Sequence, residues 1–191
     1  ELYGDNPRRF MSIIDADLTD GLECDGLFYL SSGYFASADE TPQNYFHLLV
    51  THETAHQWFY GLVPNDQANE PWLDESLSAY GELLYLEHFY PDMVDWWWGF
   101  RVRAFGPTGA VDSTIYDFLT TRPYINAVYL RGVTFQQALR DEVGDEAYFS
   151  ALKLYADSSQ GDYFRDAASF FEAFRQVTYA DLSQLRAIYF K

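Results

Sequence analysis

Residues 46–59 read Phe46-His47-Leu48-Leu49-Val50-Thr51-His52-Glu53-Thr54-Ala55-His56-Gln57-Trp58-Phe59, and two patterns are superposed in them. The first is a helical period: Phe46, Leu49, Val50, Ala55 and Phe59 predict a helix through about Gly61. The second is chemical. Residues four apart share a helix face, so the imidazoles of His52 and His56 can point at the same ion. Glu53, rotated by about 100° from His52, flanks that ion as a general base for water rather than as a ligand. From the chain's own 4 His and 11 Glu, this spacing is expected by chance only about 0.005 times.

Catalytic zinc takes three protein ligands and keeps a fourth position open. The chain offers the third at Glu75, in Trp72-Leu73-Asp74-Glu75-Ser76. The 18 residues between His56 and Glu75 allow the chain to leave one helix, cross a loop and return antiparallel. The polar break Pro64–Glu70 supplies the loop, and Asn69 followed by Pro71 predicts the next helix start. Leu73, Leu77, Tyr80 and Leu84 mark its apolar stripe, ending near Pro91.

On the N-terminal side the period is that of strands. Phe10–Leu18 and Gly26–Phe35 read as strands around a turn at Thr19-Asp20-Gly21, and Ser37–Asn44 as a loop leading into the first helix. On the C-terminal side, Asp92 reads as the cap of a third helix carrying Trp96, Trp97 and Trp98, a run that suits core packing or an interface better than sugar binding. Gly106–Asn126 reads as a long functional loop, and Ala127–Phe190 as four helices broken near Gly144, Gly161 and Thr178. The class is α+β, one domain over 1–191, with a sheet-rich part (1–40) and a helical part (41–191). Glu1 in place of Met reads as an excerpt of a longer protein.

The order of motifs resembles the aminopeptidase N family of zinc metallopeptidases, in the gluzincin group. H-E-x-x-H is followed after 18 residues by a Glu in a W-L-[N/D]-E stretch, and His56-Gln57-Trp58 continues as that family does. The resemblance implies a thermolysin-like zincin catalytic domain that binds one zinc ion per chain through His52, His56 and Glu75. Glu82, seven residues after Glu75, also fits; nearly two helical turns place it on the same face, where it can hydrogen-bond a ligand from behind. Val128-Tyr129-Leu130-Arg131-Gly132 is similar to the family's Y-x-K-G, with Arg131 in place of Lys, and implies that the Tyr129 hydroxyl stabilises an oxyanion. Asp20-Gly21-Leu22-Glu23-Cys24 is the nearest match to the amine-anchoring G-[A/G]-M-E-N, with the first Gly, the Met and the Asn replaced. It implies that Glu23 receives the α-ammonium of a peptide substrate. Full-length members add a β-rich and a helical domain, so flanking domains are expected to be missing.

With 12 Lys+Arg against 29 Asp+Glu, the net charge of −17 argues against nucleic acid and anionic lipid as partners, both of which need a basic face. A composition 48% hydrophobic and 19% aromatic excludes a disordered chain. The lone Cys24 excludes a disulfide framework, and no apolar run is long enough to cross a bilayer. The compartment stays open, with the cytoplasm slightly favoured and secretion allowed for a chain whose signal was removed. His47 and His88 lack ligand spacing, and Cys24 lacks a positive neighbour. A zinc aminopeptidase is the leading reading. A zinc endopeptidase of the same fold and a non-catalytic interaction module with a retained metal site are the alternatives.

Overall fold

Asp25-Gly26 joins two short strands, and Gly26 adopts φ +79°, the left-handed backbone that a two-residue hairpin turn requires. Around it β2 (Gly21–Cys24) folds back antiparallel onto β3 (Leu27–Ser31), with Glu23 opposite Phe28. β1 (Ser12–Ala16) pairs in parallel with the other side of β3, Ile13 lying opposite Phe28. The result is a small mixed sheet in the order β1-β3-β2, with β2 at its edge. The computed structural model describes residues 2–6, 8–157 and 164–191.

The strand expected over 26–35 stops at Ser31, whose hydroxyl accepts from the Gly33 amide and caps a short helix, α1 (Ser32–Ser37). Gly21, expected in a turn, opens β2 instead. Asn44 then caps α2 (Tyr45–Ala55), its side chain accepting from Phe46 N at 2.8 Å. α2 ends six residues before Gly61. Bonds from Gly61 N to His56 O and from Val63 N to Trp58 O widen the chain into turns there. The loop 64–71 leads to α3 (Trp72–Phe89), which starts after Pro71.

Asp92 is not a helix cap. Pro91–Met93 form a single 3-10 turn, Met93 precedes α4 (Val94–Trp97), and a wider π-type turn follows over Trp98–Val102. The segment 106–120 is irregular apart from one turn at Ile115–Asp117, and α5 (Thr121–Tyr124) runs through a π-type turn (Ile125–Leu130) into α6 (Arg131–Val143). Then come α7 (Asp145–Ala156), α8 (Ala167–Val177) and α9 (Ser183–Tyr189). The helix breaks at Gly144 and Thr178 stand where the sequence puts them; the one at Gly161 lies outside the described residues.

The main core gathers around α3, which is buried along most of its length, while Phe28, Leu30 and Leu49 form a smaller cluster between the sheet and α2. Fully buried Trp72 packs its ring 5.1 Å from Phe170, 5.1 Å from Phe190 and 5.9 Å from Phe135, tying the start of α3 to α6, α8 and the end of α9. Trp97 is fully buried as well, in keeping with a core role for the tryptophan run. Among the described residues no helix is long and apolar enough to cross a membrane.

Candidate active site

α2 and α3 lie side by side, and this is what closes the site. Helical spacing puts the His52 and His56 rings 4.8 Å apart, and α3 delivers Glu75 between them from the neighbouring helix. His52 Nε2 and His56 Nε2 are 3.2 Å apart, and Glu75 Oε2 lies 3.3 Å from the first and 3.5 Å from the second. A tetrahedron of zinc bonds about 2.0–2.1 Å long has edges of about 3.4 Å, so this triangle has the size that zinc needs. The ring orientations agree. His52 Nδ1 faces Glu82 Oε1 at 3.1 Å and His56 Nδ1 faces the Phe59 carbonyl at 3.2 Å. Each ring thus has Nδ1 engaged and Nε2 turned toward one point, which is the arrangement a cation bound through both Nε2 atoms requires; without one, burial opposes a protonated His52, and Glu75 and Glu82 favour it.

Glu82 is itself held from behind. Its carboxylate accepts from Trp97 Nε1 at 3.0 Å and from Arg101 Nε and Nη2 at 3.0 and 2.9 Å. Burial opposes its ionisation, but the Arg101 guanidinium and His52 overcome this and hold it down at about 2. The sequence marks Trp97 only as part of a tryptophan run suited to packing, and Arg101 not at all. Their spacing of four residues is the one available signal, and nothing local points it at residue 82.

Glu53 is almost fully buried, with Oε2 lacking any hydrogen-bond partner. Burial pushes it up to about 7 against the pull of His52 and His56. Its other oxygen lies against the bare α-carbon of Gly21 in β2. A carboxyl raised to about 7 beside this triangle of possible metal donors is suited to taking up and releasing a proton. Tyr129, half-buried, stacks on His52 with ring centroids 6.0 Å apart and planes at 7°. Burial, then the charge of Glu75, push its phenol well above the ordinary value, so it stays a hydrogen-bond donor.

Glu23, Glu53 and His56 also approach within 4.8 Å of one another, so the edge strand brings Glu23 to the same spot. Gln57 makes this docking specific. Its side chain accepts from Gly26 N at 2.9 Å and donates to Cys24 O at 3.0 Å, clamping the β2–β3 hairpin onto the end of the histidine helix. A cavity of about 670 Å³ opens over the whole group, walled by Tyr34, Tyr45, Phe100, Phe105 and Tyr124. Thr121 and Arg122 bring the 106–126 segment to its rim.

A family model described as the Peptidase family M1 domain matches residues 21–189. The chain belongs to peptidase family M1. Among its M1 relatives, aminopeptidase N of Lactobacillus delbrueckii subsp. lactis is 31% identical over 137 residues, covering 63% of this chain and 16% of that protein. Human endoplasmic reticulum aminopeptidase 1 is 26% identical over 116 residues, 56% of this chain and 12% of that protein. An M1 zinc metallopeptidase from Deinococcus radiodurans superposes with a TM-score of 0.71 at 23% identity, over 98% of this chain and 40% of that one. The chain thus spans less than a quarter of these curated relatives.

In the M1 chain the sequence-singled residues His52, Glu53, His56, Glu75, Glu82, Tyr129 and Glu23 all line the one cavity. Arg131, the departure from the family's lysine, does not: its guanidinium donates to Ile188 O at 2.7 Å and lies over the Tyr189 ring, fastening α6 to α9. His47 Nδ1 pairs locally with Thr41 O at 2.7 Å, and His88 packs on Phe89. The Cys24 thiol is raised by burial and by the neighbouring Glu23 and Glu53, the opposite of an activated nucleophile.

Proposed function

We propose that this M1 chain is the catalytic part of a zinc-dependent aminopeptidase, one zinc ion being held by His52, His56 and Glu75. The observation that carries the reading is the 3.2–3.5 Å donor triangle with the buried, unpartnered Glu53 carboxylate beside it. Zinc bound by two histidines and a carboxylate supplies a Lewis acid that polarises a carbonyl and acidifies water.

The chain's own residues do the rest. Glu53 takes one proton from the attacking water as its oxygen bonds to the scissile carbonyl carbon. The same carboxyl then passes that proton to the departing amine as the C–N bond breaks. Tyr129 donates its hydroxyl hydrogen to the oxyanion that exists only between those two events. Glu23 accepts the substrate's α-ammonium, which confines cleavage to the first peptide bond. The edge strand β2 offers unpaired backbone groups for an extended peptide to pair with.

The test is a panel of aminoacyl-coumarin substrates and their N-acetylated counterparts, run on the zinc-loaded protein with and without chelator. Chelator-sensitive release from free-amino substrates alone supports the reading. Equal release from acetylated peptides makes the protein an endopeptidase, and full zinc occupancy with no hydrolysis makes it a non-catalytic module.

A further inference from the structure

We propose that Gln67 is the positioning residue of the amino-terminus site, a neutral bridge that aims Glu23 at the substrate's ammonium. The proposal rests on the reading of Glu23 given above. The Gln67 side-chain amide has two hydrogens, and both are used: Nε2 donates to Glu23 Oε1 at 2.9 Å and to Asp74 Oδ2 at 2.7 Å. Asp74 is fully buried, adjoins the ligand Glu75 in α3, and is fixed further by the Glu75 amide at 3.0 Å and by Asn65. One amide thus ties a carboxylate on the edge strand to the ligand-bearing end of α3, across 44 residues of chain.

Gln67 is well placed to be rigid. It sits in a loop folded around Asp66, whose carboxylate accepts from Ala68 N, Asn69 N and the Asn69 side chain. The loop is pinned from outside by Ile115 N donating to Ala68 O. A glutamate side chain has three rotatable bonds, and holding it still before substrate arrives removes that ordering cost from binding.

The chemistry of the bridge matters as much as its geometry. Among the described residues Glu23 has no cationic partner, although Glu53, Asp74 and Glu75 crowd the same region. Lysine or arginine at position 67 would reach both carboxylates too, but its charge would neutralise Glu23 and repel an incoming ammonium. An amide satisfies one oxygen and leaves the negative charge whole for the ligand.

The experiment compares wild type, Gln67→Met, Gln67→Lys and Glu23→Gln, each zinc-loaded, for calorimetric binding of an unblocked tripeptide and of its N-acetylated form. KM and kcat on an alanyl-coumarin substrate are measured in parallel. Gln67→Met removes the donor at similar volume. It should weaken binding of the free-amino peptide about tenfold, the scale of one hydrogen bond to a charged group, raise KM more than it lowers kcat, and leave the acetylated peptide's affinity unchanged. Gln67→Lys retains donors for Asp74 and so keeps the fold, and it should abolish the preference for the free amine. A full preference surviving in both variants, or equal losses for both peptides, overturns the proposal. If the preference persists there but vanishes in Glu23→Gln, the bridge is wrong and the Glu23 reading stands. If wild type shows no preference, both fall. Binding that shifts as expected in a chain that hydrolyses nothing upholds the bridge and refutes the peptidase.

Discussion

Gly21 and Glu53 compete for one volume: a β-carbon on Gly21 would lie 2.2 Å from Glu53 Oε1. The edge strand and the histidine helix therefore meet at a glycine, and the carboxylate of the helix fills the place where the strand's side chain would stand. Gly21→Ala should displace the Glu53 carboxyl while leaving the three metal donors on their own helices. A misplacement on the 1 Å scale costs about 10²-fold in kcat/KM. Steady-state kinetics alongside metal analysis check this; lost activity with full zinc is the expected result, and unchanged kcat/KM refutes it.

Glu53→Gln keeps shape and removes the proton acceptor. Loss of a general base should lower kcat by about 10²–10⁴-fold. Zinc content should be unaltered, because Glu53 is not one of the three donors. The melting temperature should hold or rise, since the substitution replaces a buried carboxyl lacking a donor by a neutral amide. A fully active variant would refute the mechanism.

Tyr129→Phe preserves the ring that stacks on His52 and deletes only the hydroxyl. The interaction is made in the transition state, so kcat should fall about 10²–10³-fold with KM little changed. A rise in KM alone would instead make Tyr129 a substrate-binding group.

Arg101→Met strips Glu82 of its two guanidinium bonds and leaves a carboxylate charge buried behind His52. Removing one partner of such a buried pair destabilises by about 3–5 kcal/mol, and loosening a group that orients a metal ligand weakens metal binding about 10–100-fold. Thermal melts and competition with a chromogenic chelator read the two effects separately. Arg101→Lys keeps the charge without the fork and should fall between.

Gly132→Ala tests how closely α6 approaches α3. The added methyl would lie 2.5 Å from Ser76 Cβ, and helix backbones cannot absorb that without moving apart. A destabilisation of about 1–3 kcal/mol is expected, visible as a lower melting temperature. Activity should fall too, because Tyr129 is carried three residues away on the same continuous turn.

The parts of the site that were legible in the sequence are those that local geometry writes. His52, Glu53 and His56 lie within five residues on one helix, and Glu75 and Glu82 within eight on another, so helical spacing alone groups them. Gln67, Arg101 and the part Trp97 plays behind Glu82 were not legible. Each contacts a site residue 15 to 44 positions away, and a lone glutamine in a polar loop carries no periodic signal. The start of β2 was misplaced for a related reason: Gly21 reads as a turn residue, and four residues bounded by a glycine are too short for an alternation to register.

By itself, then, the sequence determined the two long helices that carry the site, which of their faces bear imidazole and carboxylate, and that the chain begins in strands, because backbone periodicity and turn chemistry act over a few residues. Only the tertiary structure decided how tightly those faces meet. The 3.2–3.5 Å donor triangle, the bare α-carbon of Gly21 against Glu53 and the amide bridge of Gln67 all arise from close packing between segments distant in the chain. Packing of that kind is settled by complementary shapes and unmet hydrogen-bond donors, which no stretch of sequence contains alone.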